Sequence, residues 1–401
     1  MKRYNIFNSL GSNYSWRDAC IALRGFFSPE KSSLDQLATL LKQAFPGYSV
    51  VPTYKGRDAL ELSLRTLGVG VGDLVLTQAF SCYAVEEAII RCGAKPLYYD
   101  IDRAALVPTT ATLDQALHRY EAVNSNGIKV AAIIAQYSLG NTTAATAIER
   151  WAQRHHIAYV ADLAQAIGAK QNETLLGNGA DAIVLSTGRD KVWDGMSGGF
   201  ALTRQPLVDS LLPTNEVELV QTVRDSLYPI VTIVIRQLYP LYIGKILHLL
   251  VNKFGLFYSP IEAIYRRTTQ MPQSLATFLL HRWPTIESDL LHRKVIAKVY
   301  YQLLREHSLI DEKGIEDGTN LRFPVYVENP QIIISKLEKY GIFISDRWYR
   351  KPVDSGSFPY KSSYDPGSCP NAEIIANHCI NLPTHQLISP KVAKQIAELV
   401  L

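Results

Sequence analysis

The stretch "IAYVADLAQAIGA" (157–169) sets an aspartate, Asp162, at the exit of an unbroken apolar run. A short apolar run of this kind reads as a strand buried on both faces. The segments around it repeat the pattern. Upstream, "TAIERWAQRHH" has helical spacing and "IKVAAIIAQ" is another buried run. Farther back, "GRDALELSLRTLGV", "GDLVLTQA", "YAVEEAIIRCG", "AKPLYYDID" and "TLDQALHRYEAV" alternate helix and strand, and downstream "DAIVLS" and "GGFALT" are two more strands. Alternation of this kind predicts an α/β fold, a mostly parallel sheet covered by helices on both faces. Ligands in such sheets sit outside the carboxyl ends of the strands.

At 401 residues the chain is long enough for two domains. The pattern predicts an N-terminal arm with helices (1–45), a large α/β domain (46–225), an apolar helical insert with a linker helix (226–290) and a small α+β domain (291–401). Hydrophobic residues at 47% and charged residues at 19% describe an ordinary globular protein. A net charge of +4 gives no argument for nucleic acid as a partner. The five cysteines, Cys20, Cys82, Cys92, Cys369 and Cys379, form no CxxC pair. They suit reduced thiols in a cytoplasm better than disulfides or a zinc site. The first fifteen residues lack the apolar core of a signal peptide.

Three strand ends carry polar residues of interest. An aspartate such as Asp162 at the end of a buried strand is, taken alone, more often a helix N-cap or loop residue. Ser186 ends "DAIVLS", and Lys191 follows five residues later in a polar turn. Gly56-Arg57-Asp58 opens a helix whose free N–H groups and dipole can hold a phosphate. Together they have a chemical logic. A pyridoxal phosphate (PLP) enzyme needs a lysine to hold the cofactor and shuttle protons, and a carboxylate to keep the pyridine nitrogen protonated. It also needs a cup of N–H groups and hydroxyls for the phosphate.

On this basis residues 50–200 resemble the DegT/DnrJ/EryC1/StrS family of sugar aminotransferases, fold-type I PLP-dependent enzymes. The resemblance rests on "GVGVGDLVL" (68–76), "GAKPLYYDID" (93–102), "DLAQAIGA" (162–169), the Ser186/Lys191 spacing and Gly198-Gly199; "CPNAEIIANHCINLPTH" (369–385) is similar more loosely. It implies a fold-type I large domain with a seven-stranded type of sheet, working as a homodimer, that transfers an amino group from an amino acid to a nucleotide-linked keto sugar. Lys191 would carry the cofactor, Asp162 would pair with its pyridine nitrogen and Gln165 would contact the ring region. Ser186 and the backbone of Gly56 and Arg57 would hold the phosphate.

The chain departs from the family pattern in several places. Lys55-Gly56-Arg57 replaces a Ser-Gly-Thr turn, and the Arg57 side chain either pairs with the phosphate or is solvated. Cys82 stands where an aromatic stacks on the cofactor ring, with Tyr83 or Phe80 as substitutes. Arg189 and Asp190 occupy small or apolar positions, and "TTQM" (268–271) replaces an "NxRM" element that reaches the neighbouring subunit. Two other readings remain beside amino transfer: elimination or dehydration on the same cofactor, and a regulatory protein that kept the fold.

Residues 226–260 are strongly apolar and carry Arg236, Lys245 and Lys253 but no acid. The run is too short to span a membrane, and Pro229 and Pro240 would interrupt a single helix. It reads either as helices buried in a dimer interface or, over 226–258, as an interfacial segment on a membrane surface, with a peripheral site on its inner face. Against the second, the three cations point in different directions on one continuous helix. "RWYRKP" (347–352) reads as a solvated loop or as a cluster facing an anionic substrate. Adjacent His155 and His156 argue against a metal site.

Overall fold

A computed structural model of the chain describes residues 4–121, 129–171, 174–255 and 268–401. Its strands are β1 (Ile6–Phe7), β2 (Ser49–Thr53), β3 (Leu74–Gln78), β4 (Lys95–Tyr99), β5 (Val130–Gln136), β6 (Ala158–Asp162), β7 (Lys170–Gln171), β8 (Thr174–Leu175), β9 (Ala182–Ser186), β10 (Gly199–Thr203), β11 (Arg322–Tyr326), β12 (Ile342–Phe343) and β13 (Cys379–Pro383). The main sheet has seven strands in the order β2-β10-β9-β6-β5-β3-β4. Only β10 runs against its neighbours; the other pairings are parallel.

The sheet is buried from both sides, which is why its strands read as continuous apolar runs. Along β9, Ile183 and Leu185 join one core and Ala182 and Val184 the other. The first core takes in Ile148 and Trp151 of the helix Ala145–Arg154; the second takes in Leu60 and Leu64 of Gly56–Thr66 and Ala88 and Ile89 of Tyr83–Arg91. Period-two alternation thus splits each strand between two helical layers.

A third core lies beyond the sheet. Phe323 and Val325 of β11 and Ile380 and Leu382 of β13 pack with Ile296 and Tyr300 of the helix Ile286–Leu304 and Ile396 of Pro390–Val400. Ile6 joins this core, because β1 pairs in parallel with β12. The amino-terminal residues therefore return to the last third of the chain.

One expectation about the apolar segment is corrected. Pro229 lies inside a continuous helix, Leu219–Leu238, and the break falls only at the turn Tyr239–Leu241, where Pro240 sits. A proline inside a helix forfeits one backbone bond. Here the Thr232 hydroxyl bonds the Tyr228 and Pro229 carbonyls at 2.8 and 3.0 Å, and Tyr228 and Ile233 are buried in the main core. Packing overrides the local penalty. A second helix, Ile243–Lys253, follows. Residues 256–260 of the segment, and Ala122 and Val123 of "TLDQALHRYEAV", lie outside the described residues. No helix among the described residues is long and apolar enough to cross a membrane.

Candidate active site

The carboxyl ends of β6 and β9 and the first turn of the helix Gly56–Thr66 open on one cavity of about 410 Å³. Gly56, Arg57, Cys82, Asp162, Gln165, Ser186 and Lys191 all line it, seven of the eight residues singled out from the sequence. Tyr83 does not. As the first residue of its helix it is buried with its ring stacked on Phe358 (5.5 Å) and beside Tyr360 (4.7 Å), outside the cavity wall.

Lys191 follows Asp190, whose backbone is left-handed (φ 64°). The turn is held by the Asp190 N–H donating to Asp194 at 2.8 Å and by Asn13, whose side chain donates to the Lys191 carbonyl at 3.0 Å. These contacts aim the Lys191 amine inward, 4.7 Å from the centre of the Trp348 ring. Burial lowers its pKa, opposed by the nearby Asp162 carboxylate. A depressed pKa leaves more of the amine in its nucleophilic form.

Asp162, the last residue of β6, accepts the Ala164 N–H at 3.0 Å. Burial raises its pKa, while that N–H and the Lys191 charge favour the carboxylate. Gln165 is held at both ends: its carbonyl oxygen accepts from Leu139 N–H at 2.5 Å and its amide donates to the Tyr349 hydroxyl at 2.8 Å. Cys82 presents a thiol whose pKa burial pushes up, keeping it neutral.

At the other end of the cavity the helix start approaches Ser186. A Cβ on Gly56 would fall 2.8 Å from the Ser186 Cβ and Oγ, so only glycine fits. Lys55 stands at the N-cap of this helix. Arg57 reaches sideways instead, pairing with Glu87 and donating to the Tyr83 hydroxyl at 3.3 Å. Lys55 and Arg189 also line the cavity. Burial brings the Lys55 pKa down to about 7. The Arg189 guanidinium stacks 3.8 Å over the Tyr228 ring and lies 3.6 Å from Asp225. "TTQM" runs beside this end in the same chain: Tyr54 N–H donates to the Thr269 carbonyl at 2.8 Å.

A family model described as the DegT/DnrJ/EryC1/StrS aminotransferase family matches residues 32–211 and 264–401. The chain belongs to this family. Within it, a "Pleiotropic regulatory protein" of Geobacillus stearothermophilus is 40% identical over 122 residues, 30% of each chain. A UDP-N-acetyl-3-dehydro-alpha-D-glucosamine 3-aminotransferase of Acidithiobacillus ferrooxidans is 33% identical over 126 residues, 31% of this chain and 32% of that one. The chain thus spans about a third of the length of these curated relatives. Among solved structures, NtdA from Bacillus subtilis with bound cofactor PMP superposes with a TM-score of 0.69 at 17% identity, covering 100% of this chain and 84% of that one. At that identity the likeness shows the fold.

The structure adds residues the sequence gave little warning of. Trp348 and Tyr349 come into the cavity from the stretch read as a basic aromatic cluster, and Ser9, Gln136 and Asp346 line it too. Gln136 ends β5, so the strand-end rule could have found it. Ser9 and Asp346 carried no signal, since tertiary pairing alone brings them there.

Proposed function

We propose that this chain is a PLP-dependent aminotransferase, passing an amino group from an amino acid to a nucleotide-linked keto sugar. The observation that carries the reading is that Lys191, Asp162 and the Gly56 helix start share one cavity. The residues fit the cofactor by size and charge. The glycine cradle against Ser186, with a helix N-terminus above it, takes a phosphate. The buried Asp162 carboxylate would face a protonated ring nitrogen, and Lys191 would hold the cofactor covalently. When bound, the cofactor supplies a carbonyl for the amino group and an electron sink.

The chain's own residues do the rest. The Lys191 amine takes and returns the proton at the substrate carbon, a task its lowered pKa suits. Asp162 would keep the ring nitrogen charged. Gln165, locked between Leu139 and Tyr349, would contact the ring region. Trp348 packs its ring 4.7 Å from the Lys191 amine. The nucleotide-sugar substrate is supported by the activity for which the Acidithiobacillus relative is named. On this reading the enzyme works as a homodimer in the cytoplasm, in cell-envelope or surface-glycan synthesis; five free cysteines suit a reducing compartment.

The purified, PLP-reconstituted protein is expected to show a visible absorbance band that borohydride treatment or Lys191→Ala removes, and glutamate should convert it to the amine form. Failure to bind the cofactor would sink the reading. A bound cofactor that no amino acid converts would favour the regulatory role named for the Geobacillus relative.

A further inference from the structure

The helix Ile243–Lys253 turns its apolar side outward. Ile246, Leu249 and Phe254 are 59%, 69% and 69% exposed, and Tyr242, Ile243 and Leu250 are exposed beside them. At about 100° per residue, Ile243, Ile246, Leu249, Leu250 and Phe254 fall within an arc of about 140° on one face. The opposite face is already taken. Val251 is buried, Leu247 packs into a small core with Phe7 and Ile235, and a Cβ on Gly244 would fall 2.3 Å from the Ile235 carbonyl oxygen. Packing against the preceding helix therefore fixes the outward direction of the stripe.

Lys253 lies within the apolar arc and Lys245 flanks it, its ammonium 5.0 Å from the Tyr242 ring centre and 5.5 Å from that of Tyr239. No acidic residue occurs between positions 226 and 260. At about 1.5 Å per residue, the eleven residues span about 16 Å, too little to cross a bilayer but enough to lie in its interface. Exposed aliphatics, terminal aromatics and flanking lysines are the composition that interface selects.

We propose that this helix docks the protein on an anionic lipid surface, its apolar stripe among the acyl chains and Lys245 and Lys253 at the head groups. Charge favours a lipid over a second copy of this chain. A two-fold contact through this face would set the lysines of one copy against those of its mate. The breaks at the turn Tyr239–Leu241 also answer the objection that the cations of one continuous helix share no face. Arg236 belongs to the earlier helix, buried with its guanidinium on the Tyr14 carbonyl at 3.0 Å, and only the two lysines remain to meet the head groups.

The test is co-sedimentation of the full-length, PLP-loaded protein with phosphatidylcholine vesicles, with and without about 30% phosphatidylglycerol. The wild type should pellet with the anionic vesicles and stay in solution with the neutral ones. Ile246→Gln/Leu249→Gln should weaken binding about tenfold or more. Lys245→Ala/Lys253→Ala should weaken it about tenfold, an effect that high salt imposes on the wild type. Leu249→Gln alone is the fallback if the double variant does not fold. Wild-type protein that stays in solution with anionic vesicles overturns the proposal, as does a polar variant that pellets equally well. So does a polar variant that loses subunit association in sedimentation velocity, which would assign the face to a second copy.

Discussion

At the scale of single residues the cavity divides by what its groups can titrate. Lys191→Ala should lower turnover at least about a hundredfold, the order lost with a positioned proton carrier, as steady-state assay with glutamate as donor would show. Lys55 carries a different prediction, about stability. Its pKa falls to about 7 in the folded protein because burial strips its water. Below pH 7 both folded and unfolded chains hold this proton. Between pH 7 and about 10.5 only the unfolded chain does, so its Lys55 contribution to stability rises with pH across that window. The difference in melting temperature between cofactor-free wild type and Lys55→Met should therefore change as pH rises from 7 to 10, the wild type gaining relative to the variant; a pH-independent difference would refute this. Asp162 and Ser186 were legible because a strand end fixes where its last residue points, and Lys191 by its spacing five residues beyond Ser186. Lys55 and Arg189 were legible only as oddities, since what they face depends on Asp225 and Tyr228, far along the chain.

At the scale of elements, β10 crosses the start of the helix Gly56–Thr66 at close range. A Cβ on Gly199 would lie 2.7 Å from the Gly56 Cα and 2.9 Å from the Lys55 carbonyl carbon, backbone atoms that cannot swing aside. Gly199→Ala should cost about 1–3 kcal/mol in denaturant unfolding and weaken PLP binding by fluorescence titration, because it pushes the helix start off Ser186. Gly70→Ala, with nothing within 4 Å, is the control and should change neither. Six of the seven strands of the main sheet were readable to within about three residues, because burial on both faces leaves an uninterrupted apolar signature, whereas β2, half-buried over most of its length, was not read. Pro229 was misread for the converse reason. Local propensity argues for a break, and only the packing of Tyr228 and Ile233 in the core overrules it.

Over the whole molecule, one buried arginine ties the parts together. Arg293 pairs with Asp289 at 2.9 Å and donates to the Leu321 carbonyl at 3.0 Å, the Thr384 hydroxyl at 3.1 Å and Asn13 at 2.9 Å. Asn13 in turn donates to the Lys191 carbonyl and, at 3.1 Å, to Asp194. The small-domain core and the lysine turn thus share one network. Arg293→Met should destabilise the protein by about 3–5 kcal/mol in chemical denaturation, the range for orphaning a buried ionic partner. Beyond the i, i+4 pair of Asp289 and Arg293, the network was not readable from sequence, since tertiary folding alone brings Leu321, Thr384 and Asn13 to the arginine. The amino-terminal strand β1 extends the same pattern. Tyr4 donates to the Tyr340 carbonyl at 2.7 Å and Ile6 to that of Gly341 at 2.9 Å. A ribosome makes these first residues long before it makes their partners, so the opening segment must wait, unpaired, while the sheet folds ahead of it. The lysine turn, clamped by Asn13, is completed only when that segment is finally seated.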